Sequence, residues 1–210
     1  MARINIHSST RCNLAVAGKV DDYLLKILTK IQYLWIVDMQ QRILVDIEID
    51  KLTNSIENRI SGDIFDTEIF RLDGKDIKQI ITTDWLFNWH EQIKFSDRET
   101  YKLTIKGNSK IIQGLVSLSD RGDHIYMHLI ESSKFNKGKN KIYIGVPGNL
   151  VAFACKLSFE KGYEGYLAFD AKTVLIKHYQ ETLYATHFKG TKMLIETPAS
   201  IRLIDQYFKK

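Results

Sequence analysis

The sequence has little that would fix a fold by covalent cross-links or metal. Cysteine occurs only at Cys12 and Cys155, too few for a disulfide framework or a tetrahedral zinc cage. Two prolines and 12 glycines in 210 residues exclude a collagenous or low-complexity chain. There is no apolar run of the roughly 18 residues that a membrane-spanning helix needs. The opening MARINIHSSTRCNL lacks the apolar core of a secretory signal, so the expected setting is reducing and cytoplasmic. Also missing are a GxxxxGK[ST] loop, a GxGxxG turn opening a helix, and a GxSxG elbow. Their absence counts against a P-loop ATPase, a dinucleotide-binding fold and an α/β-hydrolase.

What is there describes an ordinary globular chain of one domain's length, with 44% hydrophobic and 26% charged residues. The net charge of +5 is unevenly spread: residues 1–100 carry 13 basic and 16 acidic side chains, residues 101–210 carry 17 and 9. A basic second half suits a partner bearing phosphates, either a nucleic acid or a small nucleotide.

Periodicity sets out the elements. Ile4 and Ile6 alternate with polar residues, as in a strand. From Asp21 to Gln41, Leu24, Ile27, Leu28, Ile31, Leu34 and Trp35 recur at helical spacing. Val45, Ile47 and Ile49 then alternate with acidic residues and predict a half-buried strand. Leu52, Ile56 and Ile60 fit a short helix ending at Gly62, and Thr83–Phe95 fits either a helix or a strand. The second half is sharper. Tyr101–Ile105, Ile111–Leu118 and His124–Glu131 read as three antiparallel strands, followed by a lysine-bearing loop to Asn140. Lys141–Ile144 leads into the turn Gly145–Asn149 and a helix through Leu150, Phe153, Ala154 and Leu157, stopped by Gly162. A strand Tyr166–Phe169, a helix Lys172–Leu183, a hairpin turned at Gly190 and a last helix after Pro198 complete the chain. This order predicts an α/β (α+β) fold: a mixed, mostly antiparallel central sheet flanked by helices, closed by a β-α-β-α-hairpin-helix half.

Chemistry concentrates in few places. The turn Gly145-Val146-Pro147-Gly148-Asn149 lets a ligand approach the backbone closely, and the helix after it offers unpaired N–H groups to phosphate oxygens. A plain strand-to-helix turn beside solvated lysines is the other reading of the same residues. Glu131, ending a strand after Leu129 and Ile130, is either a surface carboxylate or a general base facing a cleft. Tyr179, one turn from Leu175 and Leu183, is either a buried aromatic or a proton donor. Cys155 lies inside an apolar helix and reads as a small core residue. His124 and His128, four apart on a strand, are separated by roughly 13 Å and do not chelate a metal.

In this order the pieces resemble the GNAT-type N-acetyltransferases, over roughly residues 100–208 and more weakly near 20–50. Lys110–Leu118 with Gly114, the strand His124–Glu131, Gly145–Val151, and His178–Phe188 carry the resemblance. It implies acetyl-CoA as co-substrate and no metal. It assigns the pyrophosphate of acetyl-CoA to the loop Gly145, Val146, Pro147, Gly148 and Asn149, held by the backbone N–H groups of Val146, Gly148 and Asn149. It also assigns the pantetheine arm to the strand backbone at His128, Leu129 and Ile130. Tyr179 matches the family's donor to the leaving thiolate, and Glu131 lies near where members place a base. The implied organisation is a single domain over 1–210, with the acceptor side in 1–100 and the acetyl-CoA side in 101–210. An acceptor cleft lined by Trp85 and Trp89 would suit a cationic amine, while both rings in the core is the other reading. Ile142, Pro147 and Tyr184 depart from the family pattern. They keep open a catalytically inactive binding protein, with a nucleic-acid module a more remote alternative. The expected partner is a small-molecule or protein amine, with a homodimer compatible and no membrane.

Overall fold

The computed structural model describes Val45, Ile49 and residues 55–208, all within one compact unit spanning Ile43–Lys210. The strand expected at Ile4–Ile6 and the helix expected over 21–41 lie outside the described residues.

A seven-stranded sheet organises the unit. Its strands are β3 (Thr67–Arg71), β4 (Glu99–Ile105), β5 (Asn108–Asp120), β6 (Ile125–Ser132), β8 (Leu167–Asp170), β9 (Thr186–Lys189) and β10 (Lys192–Ile195). The spatial order is β3-β4-β5-β6-β8-β10-β9. Among these seven strands every pairing is antiparallel except β6 with β8. Helix α2 (Val146–Glu160) connects that parallel pair, as such a crossover requires. Helix α3 (Ile176–Thr182) follows β8, and α4 (Thr197–Phe208) follows the β9–β10 hairpin. The mixed, mostly antiparallel sheet flanked by helices is the fold expected from the sequence.

A second, three-stranded sheet was not foreseen. It consists of β1 (Ile56–Asn58), β2 (Ile64–Phe65) and β7 (Tyr143–Ile144), in the order β2-β1-β7. Ile56 and Ile60 therefore do not share the helix their spacing suggested. The Asn58 side chain accepts from the N–H groups of Ile60 and Ser61, at 2.9 and 3.2 Å, and folds the chain into a turn. Gly62, at φ +77°, completes it, and Ile60 points into solvent, 92% exposed. Thr83–Phe95 resolves into a 3₁₀ turn at Thr82–Asp84 and the short helix α1 (Trp89–Gln92).

The core has two parts. The larger joins Leu103, Val116, Met127 and Ile130 of the sheet to Leu150 and Ala154 of α2 and Leu203 of α4. The smaller joins Ile112, Leu115 and Leu129 to Ile80, Trp85 and Trp89. Both tryptophans are thus core residues, with their rings edge-to-face at 6.2 Å. Cys155 is buried too, its thiol pushed up to about 12 by loss of solvent. Among the described residues no helix is long and apolar enough to cross a membrane.

Candidate active site

The parallel pair β6–β8 opens at one end. Ile125 pairs with Leu167 and Met127 with Phe169, and there the pairing stops, although β6 runs on to Ser132. The divergence starts at a bulge. Against β5, Leu129 faces Ser117 and Met127 faces Leu118, so His128 is an extra residue on β6. The extra residue shifts the alternation of the strand. Met127 and Ile130 join the larger core, whereas Leu129 joins the smaller one. Beyond Met127, the side of β6 away from β5 has no strand partner among the described residues.

Helix α2 starts at the same end. Gly145 is its N-cap at φ +89°, a conformation that glycine adopts without strain. The first turn seats tightly on β5, where a Cβ on Gly114 would fall 2.7 Å from Val146 Cγ1 and 3.0 Å from Leu150 Cδ1. Gly145, Val146, Pro147, Gly148 and Asn149 are all buried. The Asn149 N–H is already spent inside the helix, on the Gly145 carbonyl at 3.0 Å. Its side chain donates to Thr67 Oγ1 at 3.0 Å, and its Oδ1 is buried without a hydrogen-bond partner. The turn is therefore closer to the sheet and less accessible than its glycines suggest.

His128 sits at the bulge, its ring 4.7 Å from that of Tyr126 and its Nε2 2.8 Å from Ser119 Oγ. Burial, then the positive Arg98 and Arg121, drive its pKa down to about 3. It is neutral at physiological pH.

Glu131 lies deeper than a strand-end carboxylate would. It is 2% exposed and accepts from Leu86 N at 2.7 Å, Phe87 N at 3.3 Å and Trp89 Nε1 at 2.7 Å, with Lys137 completing an ion pair. Its four donors tie the segment before α1 to the sheet. Tyr179 is fully buried on α3, ring edge against Phe169, and its hydroxyl donates to the Val45 carbonyl at 3.3 Å. Leu129 and Ile130 lie on the diverging part of β6, buried by side chain. The splay thus gathers His128, Leu129, Ile130 and the Gly145 turn at one end, while Glu131 turns to the opposite face of the sheet. Sequence reasoning did not identify Val45 or Trp89 as partners of the candidate residues. Both contacts join segments far apart in the chain and leave no local signal. Among the described residues no group of three or more His, Cys, Asp or Glu could hold a metal ion.

No protein-family model matches the chain, and no curated protein matches its sequence. Solved structures do resemble it. One is a mutant AtaT toxin bound to the C-terminus of the antitoxin AtaR and acetyl-CoA, at 14% identity and TM-score 0.47, covering 67% of this chain and 99% of that one. Another is the KacTA–DNA complex, at 15% identity and TM-score 0.46, covering 65% and 97%. The ribosomal-protein-S18-alanine N-acetyltransferase of Escherichia coli is similar at 14% identity and TM-score 0.35, covering 61% and 90%. These likenesses assign no residue a role.

Proposed function

We propose that this protein is an acetyl-CoA-dependent N-acetyltransferase whose acceptor is an amine. The observation that carries the reading is the splay of β6 from β8 after Met127 and Phe169, with α2 opening on left-handed Gly145 at the same end. A diverging strand edge fits a ligand arm that contains amide groups, because such an arm can add to the edge as a strand does. The backbone at His128, Leu129 and Ile130 would hold that arm. The N–H groups of Val146 and Gly148, at the positive end of the α2 dipole, would hold the phosphates. Bound acetyl-CoA would supply the acetyl group as a thioester. The amine nitrogen would form the new bond to the acetyl carbon as the C–S bond breaks. Tyr179 would donate its hydroxyl proton to the departing thiolate and be restored by the proton the amine loses. Glu131 would act as a positioning residue that fixes the segment before α1. The chain would belong to the GNAT-type enzymes in one domain, with the acceptor met by the N-terminal half.

A second reading, a catalytically inactive binding protein of the same fold, is favoured by the burial of Gly145–Asn149. Calorimetric titration with acetyl-CoA separates the two, with free adenosine as control for loose nucleotide binding. Micromolar binding, lost in Gly148→Leu with the circular dichroism unchanged, supports the enzyme. An absence of binding at millimolar ligand supports the inactive protein.

A further inference from the structure

The edge of β8 that β6 leaves open is not bare. Along β8, Leu167 pairs with Ile125 and Phe169 with Met127, and the next position in step, Ala171, pairs in parallel with Val45. The Val45 N–H donates to the Asp170 carbonyl at 2.7 Å, and the Lys172 N–H donates to the Val45 carbonyl at 3.1 Å. In a strand, backbone groups two residues apart point to the same edge. Ile125 N–H donates to the Tyr166 carbonyl at 3.1 Å, so Tyr166 and Asp170 carbonyls share one edge of β8. Val45 therefore continues the ladder that β6 abandons, on the edge of β8 where a neighbouring strand or a ligand arm would lie. Its carbonyl also takes the Tyr179 hydroxyl, and the Ile49 N–H donates to His178 Nε2 at 2.7 Å. Both Val45 and Ile49 belong to the larger core, at 2% and 5% exposure.

We propose that Val45 is an internal stand-in for the cofactor arm, so that the chain occupies its own acetyl-CoA wedge and ligand enters only when Val45 leaves β8. The inference rests on the acetyltransferase reading. Its physical content is competition. Val45 fills the gap between the strands from the β8 side and takes the Tyr179 hydroxyl. An arm laid along His128–Ile130 on the β6 side would therefore have to share that gap with it. Apparent affinity then equals the intrinsic affinity reduced by the fraction of molecules in which Val45 is displaced.

The test uses the full-length chain and two readouts. Val45→Pro removes the N–H donated to Asp170, and should tighten acetyl-CoA binding by about tenfold or more as the closed fraction falls. In the unaltered protein, saturating acetyl-CoA should speed hydrogen exchange at the Lys172 amide by about tenfold, because its acceptor departs. That second readout needs no variant and holds even if Val45→Pro folds poorly. Equal affinity of the two proteins, with Lys172 still protected when ligand is bound, overturns the proposal and leaves the enzyme reading standing. Failure of both proteins to bind millimolar acetyl-CoA, while Lys172 opens in Val45→Pro, overturns the acetyltransferase reading and the proposal with it.

Discussion

On one face of the seven-stranded sheet, Leu103, Val116 and Ile130 meet Leu150 and Leu203 of two full-length helices in one large apolar cluster. On the other face, Leu115 and Leu129 meet a segment with two 3₁₀ turns and the four-residue helix α1. That second layer is too short to hold itself by helix formation, since an isolated turn of helix does not survive in water. Polar pins hold it instead. Glu131 gathers its three N–H donors and Lys137, and Lys102 on β4 pairs with Asp76 at the first 3₁₀ turn. One face is therefore held by a large apolar area, the other by a smaller apolar cluster reinforced by a few buried charges.

The largest expected effect tests those charges. Glu131→Leu leaves Lys137 and the Trp89 N–H facing apolar carbon and should cost about 3–5 kcal/mol, the range for stripping one partner from a buried pair. Leu150→Ala on the apolar face should cost about 2–5 kcal/mol through its cavity. Urea unfolding measures both. The comparison fails if Glu131→Leu costs under about 1 kcal/mol, the level of a surface ion pair. Lys102→Met isolates the second pin. The single change strands Asp76 and should cost about 3 kcal/mol, whereas adding Asp76→Leu should restore most of it. A double variant as weak as the single one would show that Asp76 holds the turn through the bond it accepts from the Asp73 N–H, at 3.2 Å, and not through the charge pair.

A smaller effect belongs to the apolar face, where β5 has a glycine because α2 leaves no room. Gly114→Ala would place a methyl 2.7 Å from Val146 and 3.2 Å from the Glu131 carbonyl, so overpacking of about 1–3 kcal/mol is expected. On the polar face, Asn88 caps α1 by accepting from Glu91 N at 3.3 Å. Asn88→Ala should cost about 1 kcal/mol. Both are read as shifts of the urea midpoint.

The same contrast explains what could be read from the sequence. Elements on the apolar face repeat apolar residues at helical or alternating spacing, and α2, β8, β10 and α4 follow that pattern closely. On the polar face the pattern fails. The Leu52, Ile56, Ile60 spacing imitates a helix where Asn58 builds a turn. Strand β3 escaped notice because its residues are half-buried or exposed, with no clean alternation. For the candidate site, the Gly145 turn and the strand at His128–Ile130 were legible as local motifs. The splay was not, since it depends on the register between β6 and β8. Nor was the Val45 pairing with Ala171, a contact between distant segments that no local spacing reports.

The smallest effect at neutral pH is also the most specific, and it concerns the bulge where the two faces exchange residues. His128 titrates at about 3 rather than at the ordinary 6.5, first because it is buried and then because Arg98 and Arg121 stand near it. Between those values the unfolded chain binds a proton that the native histidine refuses, so the native state loses stability as pH falls from 6.5 towards 3. Above 6.5 both states are neutral and the contribution is constant. His128→Gln keeps a polar partner for Ser119 but does not titrate. Urea midpoints measured across that window should therefore fall less steeply with acid in the variant than in the unaltered protein. Parallel pH profiles would mean that the imidazole is charged in the fold, and that the bulge opens to water instead of sealing the base of the splay.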